Sequence, residues 1–305
     1  MDKIQENLLA EIADLHGVPE GAYNIRSNGV SVQRNCTANI DIETKNDKSG
    51  IDIYIRPGTK NESVHIPVIL DKNGLKEKVY NDFHIGEGAD VVIVAGCGIH
   101  CGGADDMQHD GIHTFYVEKN ARVKYIEKHY GEGDGNGKRV LNPETVIYLA
   151  EGAYMEMEAT QIKGVDSTVR VTKAKVGDNA KLVIHEKIMT HGNQLAKTDF
   201  IVDLDGENSA ANVVSRSVAK DNSKQIFISN IRGNNKCSGH TECDAIIMDN
   251  ANVSAIPEIV AGNVDASLIH EAAIGKIAGE QLVKLMTLGL TEKQADEQIV
   301  SGFLR

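Results

Sequence analysis

Three features of the 305-residue sequence predict a mainly β fold of solenoid type, with one helix before it and two after it. From about residue 36 to 271 the apolar residues alternate with period two, as strands do. Along that stretch a short phrase recurs: a small or turn residue, Ala, any residue, then an aliphatic one. The composition also suits thin, regular layers. With no Trp, 4% aromatics, 29 Gly and 5 Pro, the core must be filled by Val, Ile, Ala and Leu.

The first element is a helix from Asp2 to His16, carrying Leu8, Leu9, Ile12 and Leu15 at helical spacing and stopped by Gly17 and Pro19. Residues 1–35 are therefore read as an N-terminal helical segment and 36–271 as the β core. The phrase occurs as Thr37-Ala38-Asn39-Ile40, Gly88-Ala89-Asp90-Val91, Asn120-Ala121-Arg122-Val123 and Gly152-Ala153-Tyr154-Met155. It returns as Asn179-Ala180-Lys181-Leu182, Asn250-Ala251-Asn252-Val253 and Asp265-Ala266-Ser267-Leu268, with a looser copy at Ala210-Ala211-Asn212-Val213. A residue that tolerates positive φ redirects the chain, and Ala fits the corner behind it. Strands that restart in this way suggest stacked repeats. The spacings from Ala89 to Ala211 are 32, 32, 27 and 31 residues. An antiparallel sandwich gives similar alternation, so the pattern alone leaves both architectures open.

Residues 272–305 return to helical spacing. Ile277, Leu282, Leu285 and Met286 make one stripe, and Gly289 suits a helix C′ position. Thr291 with Gln294 forms a capping box ahead of Ala295, Ile299, Val300 and Phe303. Such a hairpin either caps the solenoid or docks a partner.

A formal charge of −12 with no basic run argues against nucleic acid or an anionic membrane as partner. The N-terminus has no signal-peptide h-region and no stretch is long enough to span a membrane, so a cytoplasmic protein is expected. Five cysteines (Cys36, Cys97, Cys101, Cys237 and Cys243) are too few for a disulfide framework. The pairs 97/101 and 237/243 point to metal or sulfur chemistry instead.

The densest constellation is Cys237-Ser238-Gly239-His240-Thr241-Glu242-Cys243-Asp244, then Pro257-Glu258, then His270-Glu271-Ala272. Thiolate, imidazole and carboxylate are the side chains that hold iron and sulfide. Alternation from Val264 through Ala266 and Leu268 places His270 on their face and Glu271 on the other. A hydrogen-bonded core histidine beside an incidental thiol pair is the bland alternative. A second group, Cys97-Gly98-Ile99-His100-Cys101 with Asp105, Asp106, His109 and His113, reads as a loop round a metal, a sulfur relay, or a polar corner. The run Gly131 to Arg139 is glycine-rich but lacks the hydroxyl after Lys138 that a P-loop needs, and reads as a mobile loop.

Several ordered motifs are shared with a known family. Cys243-Asp244-Ala245, the Pro-Glu step, His270-Glu271-Ala272, Ile274-Gly275-Lys276-Ile277 and the tail from Glu280 to Leu304 resemble the C-terminal core of the SufB/SufD iron–sulfur cluster assembly scaffolds. The likeness is continuous over about 210–305 and looser back to about 85, through His109-Asp110-Gly111-Ile112-His113. It implies a right-handed parallel β-helix that carries a transient iron–sulfur cluster and is not an enzyme. It also implies a SufC-type ATPase docked on the C-terminal helices, sulfur from a cysteine desulfurase or sulfur carrier, and delivery to apo iron–sulfur proteins. Cys243 matches the SufB cysteine that builds the cluster, Glu271 the glutamate of the SufB His-Glu-Ala motif, and His270 the histidine SufD presents to SufB. One chain with the marks of both partners implies a homodimer. The N-terminal Cys-x-x-Cys-x-x-x-Cys of longer SufB proteins is missing. A metal-dependent enzyme on the same fold, such as a carbohydrate lyase, is the competing reading; so few aromatics count against it. A purely structural solenoid leaves Cys243 and His270 without purpose.

Overall fold

The computed structural model describes residues 3–15, 17, 19–277 and 279–304. Asp2 and His16, the ends of the expected first helix, lie outside them. The chain begins with α1 (Lys3–Ala13), β1 (Ala22–Ser27), β2 (Val30–Asn35), β3 (Ile40–Thr44), β4 (Gly50–Ile55) and β5 (Lys60–Leu70). There follow β6 (Lys76–Ile85), β7 (Asp90–His100), β8 (Met107–Val117), β9 (Arg122–Glu132), β10 (Arg139–Leu141), β11 (Glu144–Leu149) and β12 (Tyr154–Lys163). The rest are β13 (Ser167–Val176), β14 (Lys181–Thr190), β15 (Leu195–Leu204), β16 (Ser209–Ala219), β17 (Lys224–Gly233), β18 (Cys237–Ile247), β19 (Asn252–Ala261) and β20 (Ala266–Gly275). Two helices close the chain, α2 (Gly279–Thr287) and α3 (Glu292–Phe303).

Successive strands alternate between two sheets. The first runs β2-β1-β5-β7-β9-β12-β14-β16-β18-β20 and the second β19-β17-β15-β13-β10-β8-β6-β4-β3, with β11 between β8 and β13. All neighbours are parallel except the hairpins β1–β2 and β3–β4. Parallel ladders in both sheets settle the open question: this is a solenoid, not an antiparallel sandwich. The register advances by 32 residues from β7 to β9 and again to β12, by 27 to β14, then by 29, 28 and 29. One apolar core runs between the sheets from Ala22 to Cys243, lined mostly by Ile, Val, Ala and Leu.

The repeated phrase marks one corner of the coils. Gly88, Asn120, Gly152 and Asn179 all have positive φ, between 55° and 69°. The Gly88, Asn120 and Gly152 amides donate to Lys119, Glu151 and Asp178 carbonyls of the next coil at 2.8–3.0 Å. Ala89, Ala121, Ala153 and Ala180 are buried directly behind them. Four copies sit differently. Asn250-Ala251 lies at the opposite corner, before β19 of the second sheet, with the positive φ one residue earlier at Asp249. The corner expected at Ala210-Ala211 falls at Asn208-Ser209, where buried Ser209 takes the place of Ala. Thr37-Ala38 lies in the link between β2 and β3, with Ala38 exposed. Val264 is in the turn before β20 and is 99% exposed, so the inward face of that strand begins at Ala266.

The sheets extend past both expected boundaries. Asn28 and Gly29, at φ 47° and 87°, make the tight turn that pairs β2 with β1, and β1 joins β5 in parallel. At the other end β20 keeps pairing with β18 as far as Gly275. The C-terminal hairpin has the expected capping box at Thr291, and Gly289 sits at φ 96° between the helices. Val300 and Leu304 of this hairpin pack on Val218 beside Met189, Ile246 and Ile277, whereas α2 buries no residue. No described helix is long and apolar enough to cross a membrane.

Candidate functional site

On β18 the inward positions are Cys237, Gly239, Thr241, Cys243 and Ala245, while His240, Glu242 and Asp244 face out. Parallel pairing sets Thr241 beside His270, Glu242 beside Glu271 and Cys243 beside Ala272. His270 therefore shares the inward face with Cys243, one position away on the neighbouring strand. Glu271 is on the outer face. The structure brings Cys243 and His270 to one side of the sheet and puts Glu271 on the other, beside His240.

Cys243 is 1% exposed, and burial, reinforced by Glu186 and Asp244, pushes its thiol up to about 12. The thiolate, the form of cysteine that ligates metals, is thus disfavoured while the site stays closed. His270 Nδ1 lies 2.5 Å from Thr241 Oγ1, and its buried Nε2 has no hydrogen-bond partner. Burial and the nearby His240 hold this imidazole below its ordinary value. A buried ring nitrogen without a partner is costly. His270 shares this condition with His65 Nδ1 and Arg216 Nε among the described residues.

Behind Cys243 a polar chain threads the core. Ser215 neighbours Cys243 in register and donates to Glu186 Oε2 at 2.7 Å; Thr198 donates to Glu186 Oε1 at 3.0 Å. Burial raises Glu186 despite Arg170 Nε 3.6 Å away. Arg170 also pairs with Glu127, which accepts from the Tyr125 hydroxyl at 3.0 Å. Burial would raise Glu127, but Arg170 and His129 hold it well below the carboxylate range. Tyr125 in turn accepts from His113 Nδ1 at 2.7 Å, and Asn81 donates to His113 Nε2 at 3.2 Å. His113 is neutral, its pKa lowered to about 4 by burial.

The second sequence group comes apart. Cys97 and His100 are on strand β7 rather than a loop, with Cys97 turned inward and His100 outward, Nδ1 3.1 Å from Glu132 Oε1. Cys101 is buried with Cys97 among Val68, Ile99 and Met107. The flanking glycines seat α1: a Cβ at Gly96 would meet Ile12 O at 2.7 Å, and one at Gly98 would meet Leu8 Cδ2 at 3.1 Å. Cys97, His109, His113 and His129 do line a common cavity of about 10 Å³, room for about one water. Asp105 and Asp106 are turned to Asn73 and the Lys138 amide instead. The glycine-rich run is held, not loose, since Gly135 and Gly137 amides donate to Cys101 and Gly103 carbonyls at 2.9 and 3.1 Å. Cys36 is exposed and its Sγ accepts from the Ile42 amide at 3.3 Å.

Sequence reasoning missed Arg170, Glu127, Glu186 and His129. Each is a polar residue on an inward position of a strand, which is the available signal. Among the described residues, the group of metal-ligating side chains that lies close together is His240, Glu242 and Glu271.

The fold and site define a parallel β-solenoid whose last two coils hold a buried thiol and an imidazole with one unpartnered nitrogen. Residues 78–303 match the family model for the SUF system FeS cluster assembly SufBD core domain, and the chain belongs to that family. It is similar to an iron-sulfur cluster assembly SufBD family protein of Archaeoglobus fulgidus, 32% identical over 85% of this chain and 69% of that one. A SufBD family protein of Methanocaldococcus jannaschii is 33% identical over 62% of this chain and 60% of its own length. One of Pyrococcus horikoshii is 27% identical over 96% of this chain and 84% of its own.

Proposed function

We propose that this chain is a scaffold on which nascent iron–sulfur clusters are assembled and from which they are passed on, a carrier rather than an enzyme. The observation that carries the reading is the unfinished last coil. Ile259 stacks on Ile231 in the same inward column, yet Ile231 is 2% exposed and Ile259 42%. Cys243 lies one coil behind that opening and His270 on its rim. The cluster is cargo, with Cys243 as the thiolate ligand and His270 as the imidazole ligand.

A second copy docked on the open end completes the arrangement. At this end β19 and β20 are the edge strands of the two sheets, and such edges invite pairing. Two-fold symmetry would set Cys243 of each chain toward His270 of the other. Within one chain Glu271 faces away from Cys243 and is left out of this ligand set. A SufC-type ATPase on α2 and α3 would open the buried thiol; α2, with Val283 60% and Met286 43% exposed, would be its docking surface. Sulfur would come from a cysteine desulfurase or sulfur carrier and leave as clusters for apo proteins in the cytoplasm.

Anaerobic reconstitution with iron and sulfide tests the scaffold. Charge-transfer absorption with stoichiometric iron is expected, and Cys243→Ser should lose far more of it than Cys36→Ser. Equal losses would remove Cys243 from its role. A mixed dimer of Cys243→Ala and His270→Ala chains should keep about half the loading if the site is shared. Loading at the level of the single-mutant homodimers would place both ligands in one chain.

A further inference from the structure

The outer face of the same coil carries a separate set of donors. His240 and Glu242 are two residues apart on β18 and so point the same way, and Glu271 stands beside Glu242 on β20. One ligand atom from each of the three lies within 4.8 Å of the others. His240 Nε2 is 3.5 Å from Glu271 Oε2.

The histidine is oriented from behind. Its Nδ1–H donates to Asn212 Oδ1 at 2.9 Å, from β16 on the far side. An amide oxygen only accepts, so the neutral ring keeps its proton on Nδ1 and turns the Nε2 lone pair toward the two carboxylates. A second group that fixes tautomer and ring plane is the usual support of a metal-bound imidazole. Asp244, also outward on β18, adds a third negative charge to the face. Arg216, outward on β16 and beside Asp244 in register, brings one positive charge near Glu242, against the three carboxylates of Glu242, Glu271 and Asp244. A divalent cation held by His240 Nε2, Glu242 and Glu271 would balance the remainder.

We propose that His240, Glu242 and Glu271 form a mononuclear site for a divalent first-row transition cation, separate from the inward-facing Cys243. The donor set is one nitrogen and two oxygens. Imidazole with carboxylate suits zinc, iron, cobalt or manganese, whereas calcium and magnesium take oxygen ligands. Both nearby thiols, Cys237 and Cys243, are on the other face, so soft thiolate binding does not compete. Three protein ligands on an open surface leave coordination positions for water or an exchanging partner. Ferrous iron is the occupant the scaffold reading calls for, and only that choice rests on it.

Cobalt(II), titrated without sulfide into the full-length, cluster-free protein, is the probe. One equivalent per chain should bind with weak visible bands and no intense near-ultraviolet thiolate charge transfer. Cys243→Ser should bind unchanged. His240→Ala and Glu271→Gln should each weaken binding at least tenfold, and Asn212→Ala about tenfold. Glu271→Gln is isosteric and exposed, so it serves if His240→Ala disturbs the fold. Absence of stoichiometric cobalt overturns the proposal, as does binding that is lost in Cys243→Ser or indifferent to both His240→Ala and Glu271→Gln. Because no sulfide is present, cobalt binding stands or falls independently of whether clusters can be reconstituted.

Discussion

In the middle coils, Arg170 is 2% exposed between Glu127 and Glu186, and their remaining oxygens take protons from Tyr125, Thr198 and Ser215. In the last coil His270 has one bonded and one orphaned nitrogen, and inward-facing Ile259 and Ile274 are 42% and 39% exposed. The apolar column of the middle is closed, since each coil is covered by the next, although Thr145 Oγ1 and Thr172 Oγ1 are buried there without partners. The end has the same inward pattern without a covering coil. The difference is one of cover: the inward apolar residues of the end lie against solvent where those of the middle lie against another coil.

The contrast can be broken most forcefully in the middle. Arg170→Met would leave Glu127 and Glu186 buried without their cation. Removing one partner of a buried ion pair costs about 3–5 kcal/mol. A denaturant melt should show that loss, against a change within about 0.5 kcal/mol for exposed Glu271→Gln. Equal effects would mean the middle is no more closed than the end.

Next in size is a pH effect. Folded His113 stays neutral down to about 4, while the unfolded chain takes up that proton below about 6.5. In that window the unfolded state binds more protons, so stability is fully present above 6.5 and is lost as pH falls toward 4. The total from this residue is roughly 3 kcal/mol at 1.36 kcal/mol per pKa unit. His129, lowered by burial as well, acts in the same direction. Urea midpoints at pH 7 and 4.5 should diverge, and His113→Gln should flatten the divergence. An unchanged slope in that variant would contradict a neutral buried ring.

A smaller effect is expected where α1 covers the solenoid. Gly96→Ala would set a methyl 2.7 Å from Ile12 O and 2.8 Å from Ile12 Cβ. Overpacking of this kind costs about 1–3 kcal/mol. Amide exchange should quicken in α1 and not in β14 or β16; protection retained in α1 would show that the glycines are not its seat.

How much of this was legible in the sequence follows from which residues act locally. The solenoid was readable because turn residues such as Gly88 and Asn120 impose a positive φ and the alanines behind them need a tight corner. The capping box at Thr291 and Gln294 is likewise a contact within one turn of helix. Cys243 and His270 were visible through their motifs and through alternation along single strands. The split of Glu271 from Cys243 follows from the same alternation once the parallel register is known. The ion network was not legible: Glu127, Arg170 and Glu186 are 43 and 16 residues apart and meet only because coils stack. At Cys97 the structure has a strand where a loop was expected, because the glycines there look like loop residues but make room for α1.

The smallest expected effect on the isolated chain is the one most telling about the end. Ile259 and Ile274 point inward from β19 and β20, next to buried Ile231 and Ala245 in their columns. If the open end is a surface for another copy, they contribute little to the fold of one chain and much to association. Replacing both by Ser should shift the unfolding midpoint of the monomer by less than about 1 kcal/mol, since each is already well hydrated. The dimer dissociation constant should rise at least tenfold, as removal of two central apolar contacts does in interfaces. Sedimentation over a concentration series reads that constant directly. An unchanged dimer would move the interface elsewhere on the solenoid. A large loss of monomer stability would show instead that the last coil is closed by its own chain.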